Sequence, residues 1–316
     1  MCSLVPFALW DIATLVLVVL AGVCLVRCLL RKRSLIPLLS WMWLVLSAAV
    51  FLFVGWACNH YAPPLADELG LEVQEYSVDE LADAMEFYLR EAALRAPDVP
   101  RDKDGALLRQ DFSELAGLAG TSYVGLAEEH DIFRGCTAPV KALLVWGTPL
   151  LYSGHTGMFW APTGEAGVPL DVAIADMPFI MCHEAAHRLA IASEQEANFA
   201  AFLACAASDD VRLSYAGYLN ASLYCLNALA GVDPDRVQQV LQGVADEGLY
   251  NEVLLVLADR EAAHEHYARY EGTFEEVGTA VNDTYLKSFG EASGVRSYGL
   301  VVDYLIAWQR AELAAG

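Results

Sequence analysis

Two long apolar runs open the chain. Residues Phe7 to Leu30 include only Asp11 and Arg27 as charged positions, both near the ends, and Leu35 to Cys58 include none. About 20 such residues let a helix cross a bilayer. Trp10, Trp41, Trp43 and Trp56 fall near the ends of these runs, where amphipathic rings favour the headgroup region. A cleaved leader would begin with basic residues, and no Lys or Arg precedes Phe7, so the first run reads as a membrane helix. Residues 59–76, with Pro63-Pro64, read as a linker. From Val78 a helical period takes over, with Leu81, Met85, Phe87 and Leu89 facing inward. Another helix is expected from about Leu107 to Glu129. Between Ala138 and Pro169 glycines and prolines punctuate short β-prone runs, Ala142 to Trp146 and Met158 to Trp160, which predict a small sheet or extended loops. Helical patterns resume at Asp176-Met-Pro, at Ser193, at Asp209 or Asp210 and at Asp233-Pro234. They continue through Asn251–Tyr270, Phe274–Phe289 and Gly299–Ala314. The expected fold class is mainly α. A two-helix transmembrane hairpin (1–58) and a linker (59–76) precede one helical domain (77–316) with a small β element.

Charge adds orientation. Arg27, Arg31, Lys32 and Arg33 cluster in the short connection between the apolar runs. By the positive-inside tendency that loop is cytoplasmic, which places the domain after Asn59 outside the cell membrane. The first 58 residues carry +3 of a total of −22, leaving −25 for the remainder. So acidic a domain disfavours nucleic acid as a partner; solvated helix faces are the expected explanation of the charge, with an acidic surface for a cationic partner as the alternative. The lipid bilayer is the partner that the apolar runs imply. The eight cysteines show no C-x-x-C spacing, which argues against a thiolate metal site.

The candidate chemistry lies in one stretch, Met181 to Phe199. His183, Glu184 and His187 stand in H-E-x-x-H order. On a helix, positions i and i+4 share a face, so both imidazoles can reach one cation while Glu184 lies beside it to handle a proton. A second helix follows at once. Ser193 reads as its N-cap, with Glu196 reaching back to the Ser193 amide in a capping box. That leaves Glu194 available, and it can be a third ligand. Asn198, four residues later on the same face, can bond the outward nitrogen of a ligating histidine and fix its orientation.

This pairing of H-E-x-x-H with a following E-x-x-A-N resembles the gluzincin zinc peptidases. The longer string His183 to Phe199, with Tyr285-Leu-Lys and Gly294-Val-Arg-Ser-Tyr-Gly downstream, is similar to a bacterial family known as domain of unknown function 3810. Its members are two-pass membrane proteins with a gluzincin-like domain. The resemblance implies Zn(2+) held by His183, His187 and Glu194, Asn198 outside the ligands, and a Tyr, His or Arg that donates to the oxyanion. Tyr215, Tyr218 and Arg212 qualify by type. It also implies an edge strand upstream of the zinc helix that pairs with a peptide substrate, in a cleft that Glu165 and His155 could line. Gluzincins usually place the third ligand farther along; here six residues separate His187 from Glu194, so the connection must turn sharply.

The expected function is a membrane-anchored zinc metallopeptidase acting on peptide or protein substrates, with Glu184 as general base toward a water. The alternative is a catalytically inactive membrane metalloprotein with a sensing or assembly role. Against it stands Glu184 itself, because a purely structural metal site needs no carboxylate base. A third reading is hydrolysis of a non-peptide amide.

Overall fold

The structure, a computed structural model, describes residues 5–30, 34–272, 276 and 298–315. Helices dominate. α1 (Leu9–Leu30) and α2 (Ile36–Ala57) pair at the N-terminus, each long and apolar enough to cross a membrane, with most of their side chains exposed. After α2 a turn, Cys58–Tyr61, leads to α3 (Leu65–Glu68), whose Leu65 and Ala66 are buried in the domain.

α4 (Val78–Arg95) starts at a complete capping box. The Ser77 hydroxyl accepts from Glu80 N, and the Glu80 carboxylate accepts from Ser77 N at 2.9 Å. Leu81, Met85, Tyr88, Leu89 and Ala92 recur at helical spacing and are buried. Phe87, expected inward, is only half-buried. The stripe through 81 and 85 passes through Tyr88 instead, whose hydroxyl donates to the Leu305 carbonyl at 2.8 Å.

The helix expected from Leu107 to Glu129 is divided. Leu107 pairs with Arg101 in an isolated bridge, and the Asp111 carboxylate accepts from Glu114 N. That cap starts α5 (Phe112–Thr121), and a short α6 (Leu126–Glu129) follows. After α7 (Gly147–Tyr152) come α8 (Met177–Arg188), α9 (Glu194–Ala206), α10 (Val211–Val232), α11 (Pro234–Val244), α12 (Tyr250–Ala268) and α13 (Tyr298–Ala315). The core lies where α4 runs along α10 and where α8, α9 and α10 pack together, with α13 against α9 and α10. Cys182 and Cys205 are fully buried thiols in this core. Apart from Glu276, the expected helix Phe274–Phe289 lies outside the described residues, as do the Tyr285-Leu-Lys motif and 294–297.

A three-stranded sheet accompanies the helices, in the order β1 (Lys141–Leu143), β3 (Glu165–Pro169), β2 (Met158–Trp160). β1 and β3 are parallel; β2 and β3 are antiparallel. The first expected strand is thus shorter than Ala142–Trp146, because the amides of Leu144, Val145 and Trp146 are taken by the Asp11 carboxylate at 2.7–2.9 Å. Just before α1, the backbone pairs with the outer edge of β1: Ala142 N donates to Pro6 O, and Ala8 N donates to Ala142 O.

Glu165 corrects an expectation. Rather than lining a cleft, its buried carboxylate accepts from Leu9 N and Trp10 N at 3.1–3.2 Å. The first amides of a helix have no partner within it and carry partial positive charge, so a carboxylate suits that position. Trp10 stacks on Trp160 with centroids 4.7 Å apart, Phe53 meets Trp160 edge-on at 4.9 Å, and Trp56 packs on Phe159 at 5.4 Å. The strand β2 is therefore clamped to both apolar helices.

Candidate metal centre and cleft

α8 begins with Pro178 in its first turn, where a missing amide donor does no harm. It ends in a tight reversal. Ile191 N donates back to Ala186 O, and Ala190 N to His187 O, the two bonds of a Schellman turn. Ala190 occupies the left-handed region at φ 70°, a conformation that costs a non-glycine residue about 1–3 kcal/mol. The sharp connection that the short spacing requires is thus present, and its strain lies at one alanine. α9 starts immediately afterwards at Glu194.

Ser193 occupies the N-cap position of α9, but its side chain makes no capping bond. The expected capping box is absent because Glu196 is engaged elsewhere. Its Oε1 accepts from Leu65 N at 2.7 Å and from the Tyr304 hydroxyl at 3.4 Å. Glu196 ties α3 and α13 to α9 and points away from the histidines' partner, Glu194.

The two imidazoles meet edge to face, with ring centroids 4.6 Å apart. Glu194 bridges them: its carboxylate oxygens lie 3.2 Å from His183 Nε2 and 3.7 Å from His187 Nε2. On the far side of each ring an oxygen waits. His183 Nδ1 is 2.8 Å from Asn198 Oδ1, and His187 Nδ1 is 2.8 Å from the Ile191 carbonyl. Both oxygens can only accept, so each Nδ1 carries a proton. In the neutral rings both Nε2 lone pairs then face the carboxylate. One ligand atom from each of His183, His187 and Glu194 lies within 4.8 Å of the others, and the three could hold a metal ion.

The electrostatics have the same character. Burial works against a charged His187, yet Glu194 holds its pKa up at about 9. Burial also opposes ionised Glu194, and His187 and His183 nevertheless hold it well below the usual carboxylate range. Ionised Glu194 thus favours positive charge at the histidines, here a proton on His187.

Glu184, one residue after His183, points about 100° around the helix from it. It is buried, its Oε2 has no hydrogen-bond partner among the described residues, and burial pushes its pKa up to about 7 against the opposing pull of His187 and His183. The neighbour on its open side is Gly157, just before β2. A Cβ there would come within 2.2 Å of Glu184 Oε1, so only glycine leaves the carboxyl room.

These groups line a cleft of about 610 Å³, within the usual range for ligand sites. His155 lines it as expected. Asn220 and Tyr224 of α10 and Tyr267 of α12 face it too. Asp176, at the start of α8, is a second carboxyl in the wall; burial raises its pKa to about 6, against hydrogen bonds from Tyr267 and Asn220. The three expected oxyanion donors are elsewhere. Tyr215 donates to the Asp259 carboxylate, which is also paired with Arg101. Tyr218 packs under the Arg95 guanidinium, 4.2 Å from its ring centroid. Arg212 is held by Asp210 and Glu114, each at 2.7 Å. The reason for the two tyrosines is helical phase. Asn220 and Tyr224 lie about 40° apart on α10, whereas Tyr215 and Tyr218 project about 140–160° away from Asn220.

Sequence reasoning missed the contribution of α2. Phe53 and Trp56 line the cleft, and Trp56 meets His187 edge-on with centroids 5.8 Å apart. His60, in the turn after α2, packs edge-on against Trp56 in turn. The apolar run marked these residues only as membrane and interface; no local signal directs Trp56 at His187.

Comparison with known proteins gives one result. Residues 1–306 match the family described as Protein of unknown function (DUF3810). No curated protein and no solved structure matches the chain. The family match takes in the apolar hairpin as well as the H-E-x-x-H helix, so the hairpin and the His183, His187 and Glu194 cluster are parts of one family unit, and the chain belongs to the DUF3810 family.

Proposed function

We propose that the chain is a membrane-anchored zinc metallopeptidase. The observation that carries this reading is the convergence of His183, His187 and Glu194 beside a buried, unpartnered carboxylate oxygen of Glu184 in one cleft. Two imidazole nitrogens and a carboxylate are a donor set suited to zinc, and three protein ligands leave a position for water. The side chains fit the ion: Asn198 and the Ile191 carbonyl already turn both Nε2 atoms inward. Zinc held there would act as a Lewis acid on a water and on the scissile carbonyl.

The remaining steps belong to the chain. Glu184 Oε2 takes the proton from the attacking water and returns it to the leaving amine. Burial pushes its carboxyl up to about 7 in the ion-free site, and the charge of a bound ion would pull it back down, toward the ionised form a base needs. β2 offers an extended backbone for the substrate: β3 occupies one of its edges, and its residues line the cleft. An unpaired strand edge binds a peptide by strand addition, which holds the scissile bond in register. Tyr224 and His155 are cleft side chains of a type able to donate to the oxyanion, whereas the Tyr267 hydroxyl is engaged with Asp176. The chain anchors through α1 and α2, with the basic loop Arg27–Arg33 on the cytoplasmic side and the domain outside.

Metal analysis and a broad peptide screen test the reading together. Purified protein should contain about one zinc per chain and cleave peptides, lose activity to a chelator and regain it with zinc. Zinc without any cleavage would favour the sensing or assembly role instead.

Two further results are expected. Protease added to intact spheroplasts should digest the domain; digestion only after lysis would reverse the orientation. Gly157→Ala should keep zinc but lower turnover by about 10- to 100-fold, because the new methyl displaces the base by the order of an ångström. Normal turnover in that variant would show that Glu184 has slack the packing does not suggest.

A further inference from the structure

We infer that the cleft takes the segment of a polypeptide that lies directly beside its own membrane anchor. This deepens, and rests on, the peptidase reading above. The argument is one of height. Trp56 belongs to the last turn of α2, which ends at Ala57, and its ring is 5.8 Å from that of His187. The reacting groups are therefore level with the end of a helix whose outer surface is bare and apolar: Phe51 is 78% exposed and Leu46 56%. A surface of that kind over two whole helices needs a lipid cover. With lipid around α1 and α2, the cleft opens at the headgroup region.

The height is also fixed. A flexible tether would let the domain drift away from the bilayer, but here the hairpin is built into the domain. Glu165 accepts from the first amides of α1, and Asp11 accepts from the three amides after β1. Trp160 is held by Trp10 of α1 and Phe53 of α2. β2 and the metal cluster consequently move with the membrane helices. The acidic domain gains nothing from anionic lipid, so docking rather than charge sets its distance from the surface. An extended chain advances about 3.4 Å per residue. A polypeptide emerging from the bilayer thus reaches Glu184 within a few residues, whereas a site farther out must fold back to the surface.

The test holds anchoring constant and varies height. Vesicles of phosphatidylethanolamine and phosphatidylglycerol carry the zinc-loaded full chain and one of two libraries of random decapeptides, both anchored by two N-terminal palmitoyl chains. In the near library the random stretch follows the anchor directly. In the far library twelve prolines intervene, a stiff spacer of about 37 Å. A third, unacylated library is added in solution. The near library should give at least tenfold more Glu184-dependent product than the far one. As a readout independent of turnover, benzophenone-bearing near peptides should crosslink to Phe53, Trp56 or Phe159 of the Glu184→Gln variant, and far peptides should not. Equal cutting of near and far libraries, a far library cut or crosslinked more than the near one, or cleavage of the soluble library alone overturns this inference and leaves the peptidase reading standing. Absence of Glu184-dependent cleavage in all three overturns the peptidase reading and this inference with it.

Discussion

Glu184→Gln should retain its zinc and lower turnover by at least about 100-fold, the lower end of a general base's contribution and about 2.7 kcal/mol of barrier. The substitution keeps the shape that fills the space beside Gly157 and keeps hydrogen-bonding capacity, but an amide cannot take up the proton. The stability readout has a definite sign. Burial raises the folded-state pKa of Glu184 to about 7, above the ordinary carboxylate value. The folded protein therefore holds that proton more tightly than the unfolded chain. This contribution to stability is fully present below about pH 4.5 and is lost as pH rises through about 7. Glutamine does not ionise, so in chelated protein above pH 7 the variant should melt no lower than the native chain. His183→Ala, in contrast, should lose the metal as well as the activity. Near-normal turnover of Glu184→Gln on a validated substrate would remove the water-activation mechanism. Outright loss of zinc would make Glu184 a ligand and reopen the place of Glu194.

The cluster was legible in the sequence because its geometry is local. Helical periodicity alone puts His183 and His187 on one face, and the same rule pairs Glu194 with Asn198. Only the reversal between the helices had to be supplied by the fold, and it takes the form of a Schellman turn through Ala190. The apolar hairpin was legible for the equally local reason that composition and length suffice to mark it.

Several assignments failed because a distant partner decided them. Ser193 and Glu196 have the spacing of a capping box, and so do Ser77 and Glu80; the structure forms the second and not the first. The difference is Leu65, 131 residues from Glu196, whose amide competes for that carboxylate. The resemblance offered Glu165 as a cleft residue through its place upstream of the H-E-x-x-H helix, yet the first amides of α1 claim it from 155 positions away. Tyr215 and Tyr218 have the right chemistry on the wrong side of α10. Which side faces the cleft depends on how α10 packs against α4 and α8, and a helix buried on several faces does not announce this in its own pattern. Trp56 is the instructive inverse. Its position at the end of an apolar run explains it fully as an interfacial anchor, and only the docking of the hairpin adds the second role.

The two glutamates at the start of α9 allow the sharpest separation of metal from fold. Glu194→Ala should weaken zinc binding by at least about 100-fold, beyond the 10- to 100-fold typical of groups that merely orient a ligand, and abolish measurable turnover. Its carboxylate is the group placed between the two Nε2 atoms, and alanine leaves those nitrogens facing each other without it. Glu196→Ala should leave zinc affinity unchanged and lower stability by about 1–3 kcal/mol. The loss comes from the Leu65 amide, left without its acceptor where α3 packs on the domain, and not from an N-cap. Competition titration with a zinc-binding dye reads the first quantity and thermal unfolding of the chelated protein reads the second, so neither result can stand in for the other. A drop in zinc affinity for Glu196→Ala with none for Glu194→Ala would transfer the ligand role to Glu196. It would require α9 to turn about 160° from its present phase, since the two side chains are two residues apart on one helix.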